Sequence, residues 1–206
     1  MHAMIRGLIY VCKNHSMDKD YQSEITFEGN DFNKEPLRLG EYEDCTFRNC
    51  NFAEQDLSGF QFSQCKFIDS DLSNIKTLDT AWQQVAFQGC KIIGIHFDTC
   101  KDFLFEISCK NCQLNYSSFY QKVLKGIKFN ECVLIETDFT ECDLSNGVFD
   151  ECDLTGTIFE NTNLEYADFS TAFNFIINPE LNNIRSAKFP LAGLPGLLVK
   201  YRLEVV

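Results

Sequence analysis

Histidine is scarce in this chain: three occur in 206 residues. His2 and His15 lie near the N-terminus, and His96 stands beside an apolar position where it is expected to face solvent. There is no Gly-rich phosphate loop and no nucleophile elbow. These absences disfavour an enzyme, and neither a catalytic set, a metal site nor a cofactor is expected.

Long apolar runs are missing too. No stretch of 18 apolar residues exists, which excludes a transmembrane helix. The run Gly7–Cys12 follows Arg6, yet it is too short for a signal peptide, and no small-residue cleavage site precedes Cys12. Met17 opens a more ordinary beginning. A cytoplasmic protein is therefore expected, with residues 1–20 a tail that is disordered or partly upstream of the native start.

Positive charge is missing from one long interval. Between Lys128 and Arg185 there is no Lys or Arg, while twelve carboxylates run from Glu131 to Glu180, and the net charge is −12. Two readings compete. Acidic outer positions keep an edge-prone β stack soluble, or they form a negative rod that offers carboxylates to a surface built for phosphates. Direct nucleic-acid binding is disfavoured by the same charge.

What the chain does contain is a strict period. From Leu134 to Phe169, Leu and Phe alternate at every fifth residue: Leu134, Phe139, Leu144, Phe149, Leu154, Phe159, Leu164, Phe169. A helix repeats at about 3.6 residues and a strand at about 2. A five-residue period needs a corner every five residues, with one large side chain per side pointing inward. Four sides close a coil, and stacked coils build a solenoid. The phase extends back through Phe129, Leu124, Phe119, Leu114 and Cys109 to Leu104. An earlier block runs at the same spacing from Phe27 to Phe97 and is apolar everywhere except Thr77. The blocks are offset by two residues, so one slip is expected near 98–104, with further irregularity near Thr77 and Lys122.

Two residues before each centre lies a second inward position, which is nearly always small. It holds Cys45, Cys50, Cys65, Cys90, Cys112, Cys132, Cys142 and Cys152, with Ser, Thr, Gly or Ala at most of the others. That accounts for eight of the eleven cysteines. Neighbouring coils stand about 4.8 Å apart, within reach of a disulfide. The side chains run parallel up the ladder, however, and an odd count in a cytoplasmic chain argues for reduced thiols packed as small hydrophobes. Cys109 and Cys112 make a lone C-x-x-C, weak grounds for zinc or redox chemistry.

The five-residue unit (small, Asp/Asn, Leu/Phe, polar, polar) resembles the pentapeptide-repeat family over roughly residues 25 to 190. The resemblance implies an all-β fold, a right-handed quadrilateral β-helix over 21–189. A short C-terminal capping and dimerisation helix would lie within 190–206. The array's length and break, and a last repeat at Asn183–Phe189 followed by apolar residues, are similar to the Qnr-type quinolone-resistance proteins. Those are dimeric DNA mimics that bind DNA gyrase and topoisomerase IV. On that resemblance Leu194, Leu197, Leu198 and Tyr201 would form a homodimer interface. Asp138, Glu141, Asp143, Asp150, Glu151 and Asp153, on the most regular coils, would form the DNA-mimic surface. The competing reading is a structural or scaffolding pentapeptide-repeat protein with another partner.

Overall fold

The computed structural model describes residues 20–203, so most of the expected tail lies outside the described residues, while Asp20 opens the first strand. The chain winds as a right-handed, four-sided β-helix. Four strands stack on one side: β1 (Asp20–Ser23), β3 (Gly40–Glu43), β5 (Gln61–Ser63) and β7 (Ala81–Gln83). Seven stack on the next side: β2 (Thr26–Glu28), β4 (Thr46–Arg48), β6 (Lys66–Ile68), β8 (Val85–Gln88), β9 (Ile107–Lys110), β10 (Lys128–Asn130) and β11 (Val148–Asp150). All pairing is parallel, and the register is twenty residues, as in Phe47↔Phe67. Single bridges such as Asp138↔Ile158 continue it along the remaining sides.

Corners form because the residue two past most centres takes positive φ, as at Glu131 (53°), Glu136 (52°), Glu141 (58°) and Glu151 (51°). That conformation costs a non-glycine residue about 1–2 kcal/mol. It is held because these amides are committed to the next coil. Glu131, Glu136 and Glu141 donate to the carbonyls of Asp150, Thr155 and Glu160 at 2.8, 2.9 and 2.8 Å.

The centres fill the bore in columns. Phe27, Phe47, Phe67 and Phe87 stack with ring centroids 4.8, 4.7 and 5.2 Å apart. The column resumes after Cys109 with Phe129, Phe149, Phe169 and Phe189 at 5.5, 4.6 and 5.2 Å. The small position has a second job besides fitting. Its hydroxyl or thiol reaches back 23 residues to the carbonyl of a centre one coil earlier: Thr137 to Leu114, Thr157 to Leu134, Thr162 to Phe139 and Cys142 to Phe119, at 2.7–3.0 Å. A small side chain that also donates answers a carbonyl that burial would otherwise leave unpaired. All ten described cysteines are buried free thiols.

One expectation fails at the slip. Leu104 is not an inward centre but 64% exposed, and Phe103 beside it is 75% exposed. Phe105 turns in against the core instead. The extra residues sit between Lys101, whose amide still bonds regularly to the carbonyl of Thr80, and Glu106, whose amide bonds to that of Trp82. Across them the register is twenty-two, as in Val85↔Ile107, and beyond them it returns to twenty, as in Phe129↔Phe149. Turning Phe105 inward rather than Leu104 keeps an aromatic ring beside Phe97, with centroids 6.1 Å apart.

At the C-terminal end a turn of 3-10 helix (Leu191–Gly193), α1 (Pro195–Leu198) and a second 3-10 turn (Val199–Tyr201) lie across the last coil. Close approach requires glycine here. A Cβ on Gly196 would stand 2.1 Å from the carbonyl oxygen of Phe175, and the Gly196 carbonyl accepts from the Ile177 amide at 3.1 Å.

Candidate interaction surfaces

The six carboxylates singled out from the sequence fall into two groups. Asp138 and Asp143 occupy the outward position just before a centre on two adjoining sides, bridged to Ile158 and Asn163 of the next coil, and Glu141 makes the corner between them. Asp150 closes β11, Glu151 makes the following corner, and Asp153 opens the next side. A coil has four corners, and Glu141 and Glu151 are two sides apart. The groups therefore mark opposite edges of the rod.

Several of these side chains also build the turns. Asp138 accepts the Thr140 amide at 2.8 Å. Asp143 accepts the Ser145 amide at 3.1 Å and the Asn163 side-chain amide at 3.0 Å, and it pairs with Lys125 at 3.3 Å. Asp153 accepts the Thr155 amide at 3.1 Å, its hydroxyl at 2.6 Å and the Asn174 side chain at 3.0 Å. These are Asx turns, in which a short carboxylate closes a loop on an amide two residues on. Burial alone would raise the pKa of Asp143, but Ser145 and Lys125 outweigh it and hold the group below the usual carboxylate range. Asp153 is lowered likewise, against its burial, by Thr155 and Asn174. Asp150 accepts from Asn130 and Thr171 at 2.7 and 2.8 Å, and Glu141 from Gln121 at 2.7 Å. Glu151 points into solvent.

At the cap the four apolar residues divide. Leu194 and Tyr201 are exposed, Leu198 is half-buried, and Leu197 packs against the core of its own chain. Leu191, Val199 and Leu203 add further exposed apolar surface around them. Tyr201 donates to Glu180 at 2.8 Å, and Lys200 pairs with the same carboxylate, so the end of the cap is tied to the last coil.

At the slip and the irregularity expected near Lys122, two features went unread in the sequence. Lys122 occupies a small inward position yet is 3% exposed. Its Nζ donates to the carbonyl of Cys100 and to Asp102, both at 2.6 Å, and lies 5.3 Å from the centre of the Phe105 ring. The outward Phe103–Leu104 pair was the other. A lysine in a column of Cys and Thr was the available signal.

Family models for a pentapeptide repeat region match residues 41–119, and models for pentapeptide repeats match 107–146 and 138–173. This chain belongs to the pentapeptide-repeat family. Among solved structures, this pentapeptide-repeat protein is similar to a trypsin-treated form of QnrB1, a plasmid-mediated fluoroquinolone resistance protein. Identity is 16% and the TM-score 0.57, with 91% of this chain and 99% of that one covered. HetL from the cyanobacterium Nostoc sp. strain PCC 7120, involved in heterocyst differentiation regulation, matches at 14% identity and a TM-score of 0.47, covering 83% and 86%. No curated protein sequence matches the chain. Among the described residues no group of three or more His, Cys, Asp or Glu is arranged to hold a metal ion, and no helix is long and apolar enough to cross a membrane.

Proposed function

We propose that this pentapeptide-repeat protein is a non-enzymatic, cytoplasmic binding protein whose acidic rod engages the basic groove of a DNA gyrase or topoisomerase IV. There it would act as a DNA mimic that protects the enzyme from quinolones. The observation carrying this reading is a stack of regular coils from Glu131 to Glu180 with no cation at all. Carboxylates on a stiff scaffold suit a surface that otherwise takes phosphates. The likeness to QnrB1 supports it at the level of fold. Homodimerisation through the cap, around Leu194, Leu198 and Tyr201 with their exposed apolar neighbours, belongs to the same proposal.

The split of the six carboxylates between opposite edges, and the turn-building role of Asp138, Asp143 and Asp153, favour a second reading. In it the rod is a scaffold that holds a different protein partner. A gyrase supercoiling assay with and without ciprofloxacin separates the two. Relief of inhibition by the protein supports mimicry, and no effect at micromolar protein leaves the scaffold.

A further inference from the structure

We propose that the step between Lys101 and Glu106 is a docking site for an acidic peptide segment that carries a bulky apolar side chain. The site is independent of the topoisomerase reading. Three exposed apolar residues gather around the step: Phe103, Leu104 and Val123, the last 64% exposed. Leu104 holds φ at 56°, a region that offers a leucine no local compensation. Strain of this kind persists only where the surroundings over-determine it. Here the buried ammonium of Lys122 does so, by clamping Cys100 and Asp102 at the base of the loop. The outward pair is thus presented by a rigid support.

Two clefts flank the step, of about 360 and 510 Å³, and they share Phe105, Glu106, Val123 and Lys125 as walls. Each has room for one large apolar side chain. The smaller cleft ends at Lys128 and opens onto the seven-stranded side. From β4 to β10 the outward strand positions of that side include Arg48, Lys66, Lys110 and Lys128 and no carboxylate. Lys101, Lys110 and Lys128 make no ion pair among the described residues. On a chain of net charge −12 this is a basic strip beside an apolar step.

The complement of such a surface is an extended segment with carboxylates over the strip and one aromatic or aliphatic anchor at the step. A nucleic acid fits worse. Asp69 and Glu131 at one border of the strip and Glu106 at the other would meet its phosphates.

The test is selection from a library of random dodecapeptides on the full chain. It is followed by fluorescence anisotropy of the enriched peptides with wild type, Phe103→Ser/Leu104→Ser and Lys110→Glu/Lys128→Glu. Both double variants change exposed side chains only, and circular dichroism checks that they keep the fold. Enriched peptides are expected to combine Asp or Glu with a Leu, Ile, Phe or Trp. Each double variant should weaken them at least about tenfold, the size of one lost anchor, and salt should weaken them too. Enrichment of basic peptides, equal affinity for the variants, or no enrichment overturns the proposal. So does a 30-base-pair duplex that binds wild type and is lost with the lysine variant, since the strip would then be a nucleic-acid surface.

Discussion

The ring of Phe139 lies 5.6 Å from that of Phe159, one coil on, with 13° between their planes, and both rings are buried. Each is also wedged edge-on against Phe149, at 6.1 and 6.2 Å. Removal of such a side chain from water contributes about 1.5–3 kcal/mol, and backbone ladders keep the walls from collapsing into the gap. Phe139→Ala is therefore expected to cost about 3–5 kcal/mol, read from urea unfolding followed by circular dichroism. A loss under about 1 kcal/mol would contradict the column.

The thiol ladder makes the fold sensitive to alkali. Burial pushes Cys65 and Cys142 up to about 12 and Cys100 up to about 11, so all three stay protonated in the fold at pH values where an unfolded thiol ionises. A pKa raised in the folded state means that its stabilising share is complete below the unfolded value, about 9, and is lost as pH rises toward 12. Unfolding midpoints should fall over that window. Cys142→Thr keeps a donor for the Phe119 carbonyl, as Thr162 serves Phe139, and should make the fall shallower. At pH 8, Ellman's reagent should find the ten described cysteines unreactive until denaturant is added; rapid labelling of several would refute their packing.

The period, the coil size and both inward columns were legible in the sequence because each repeats many times and a chance match at every fifth residue is improbable. The slip was not. Phe103, Leu104 and Phe105 are three apolar residues in a row, and extrapolating the phase from Cys109 selects the middle one. The coil instead turns in Phe105, beside Phe97 and beneath Lys122. The acidic residues were legible as charges but not as structure. In Asp138-x-Thr140, Asp143-x-Ser145 and Asp153-x-Thr155 the carboxylate closes a turn, a local bond that charge counting does not register.

Acid should loosen the last coil through the Asp168–Lys188 pair. Hydrogen bonds from Lys188 and then Ser170 hold Asp168 down at about 2. For a depressed carboxyl the stabilising share is present above the unfolded value, near 4, and is lost as pH falls from there toward 2. Lys188→Met is expected to flatten this part of the profile of melting temperature against pH while changing little at neutral pH, where so exposed a pair contributes little. An unaltered acid limb would assign the loss to other carboxyls.

Gly196→Ala places a Cβ where the Phe175 carbonyl stands, and the backbone of both segments must part to admit it. The cap should lift from the last coil and release the amide of Ile177 from the Gly196 carbonyl. Hydrogen exchange at Ile177 should then speed up at least about tenfold, while the Phe129–Phe149 coils stay protected. If the cap also carries the homodimer, light scattering of this variant should show monomers or aggregates, and an intact dimer would put the interface elsewhere.

The two carboxylate groups permit a test of mimicry by direction. Asp138→Asn/Glu141→Gln/Asp143→Asn neutralises one edge of the rod, and Asp150→Asn/Glu151→Gln/Asp153→Asn the opposite one. Asn keeps an oxygen acceptor for the amides of Thr140, Ser145 and Thr155, so the turns survive and each variant should melt within about 1 kcal/mol of wild type. A single basic groove can lie against only one edge at a time. Binding to gyrase, followed by surface plasmon resonance at two salt concentrations, should then be abolished by one triple and nearly spared by the other, and should weaken steeply with salt in the wild type. Equal, modest losses from both triples would mean that only net charge matters. Unchanged binding in both, with earlier precipitation, would assign these carboxylates to solubility and remove them from the partner surface.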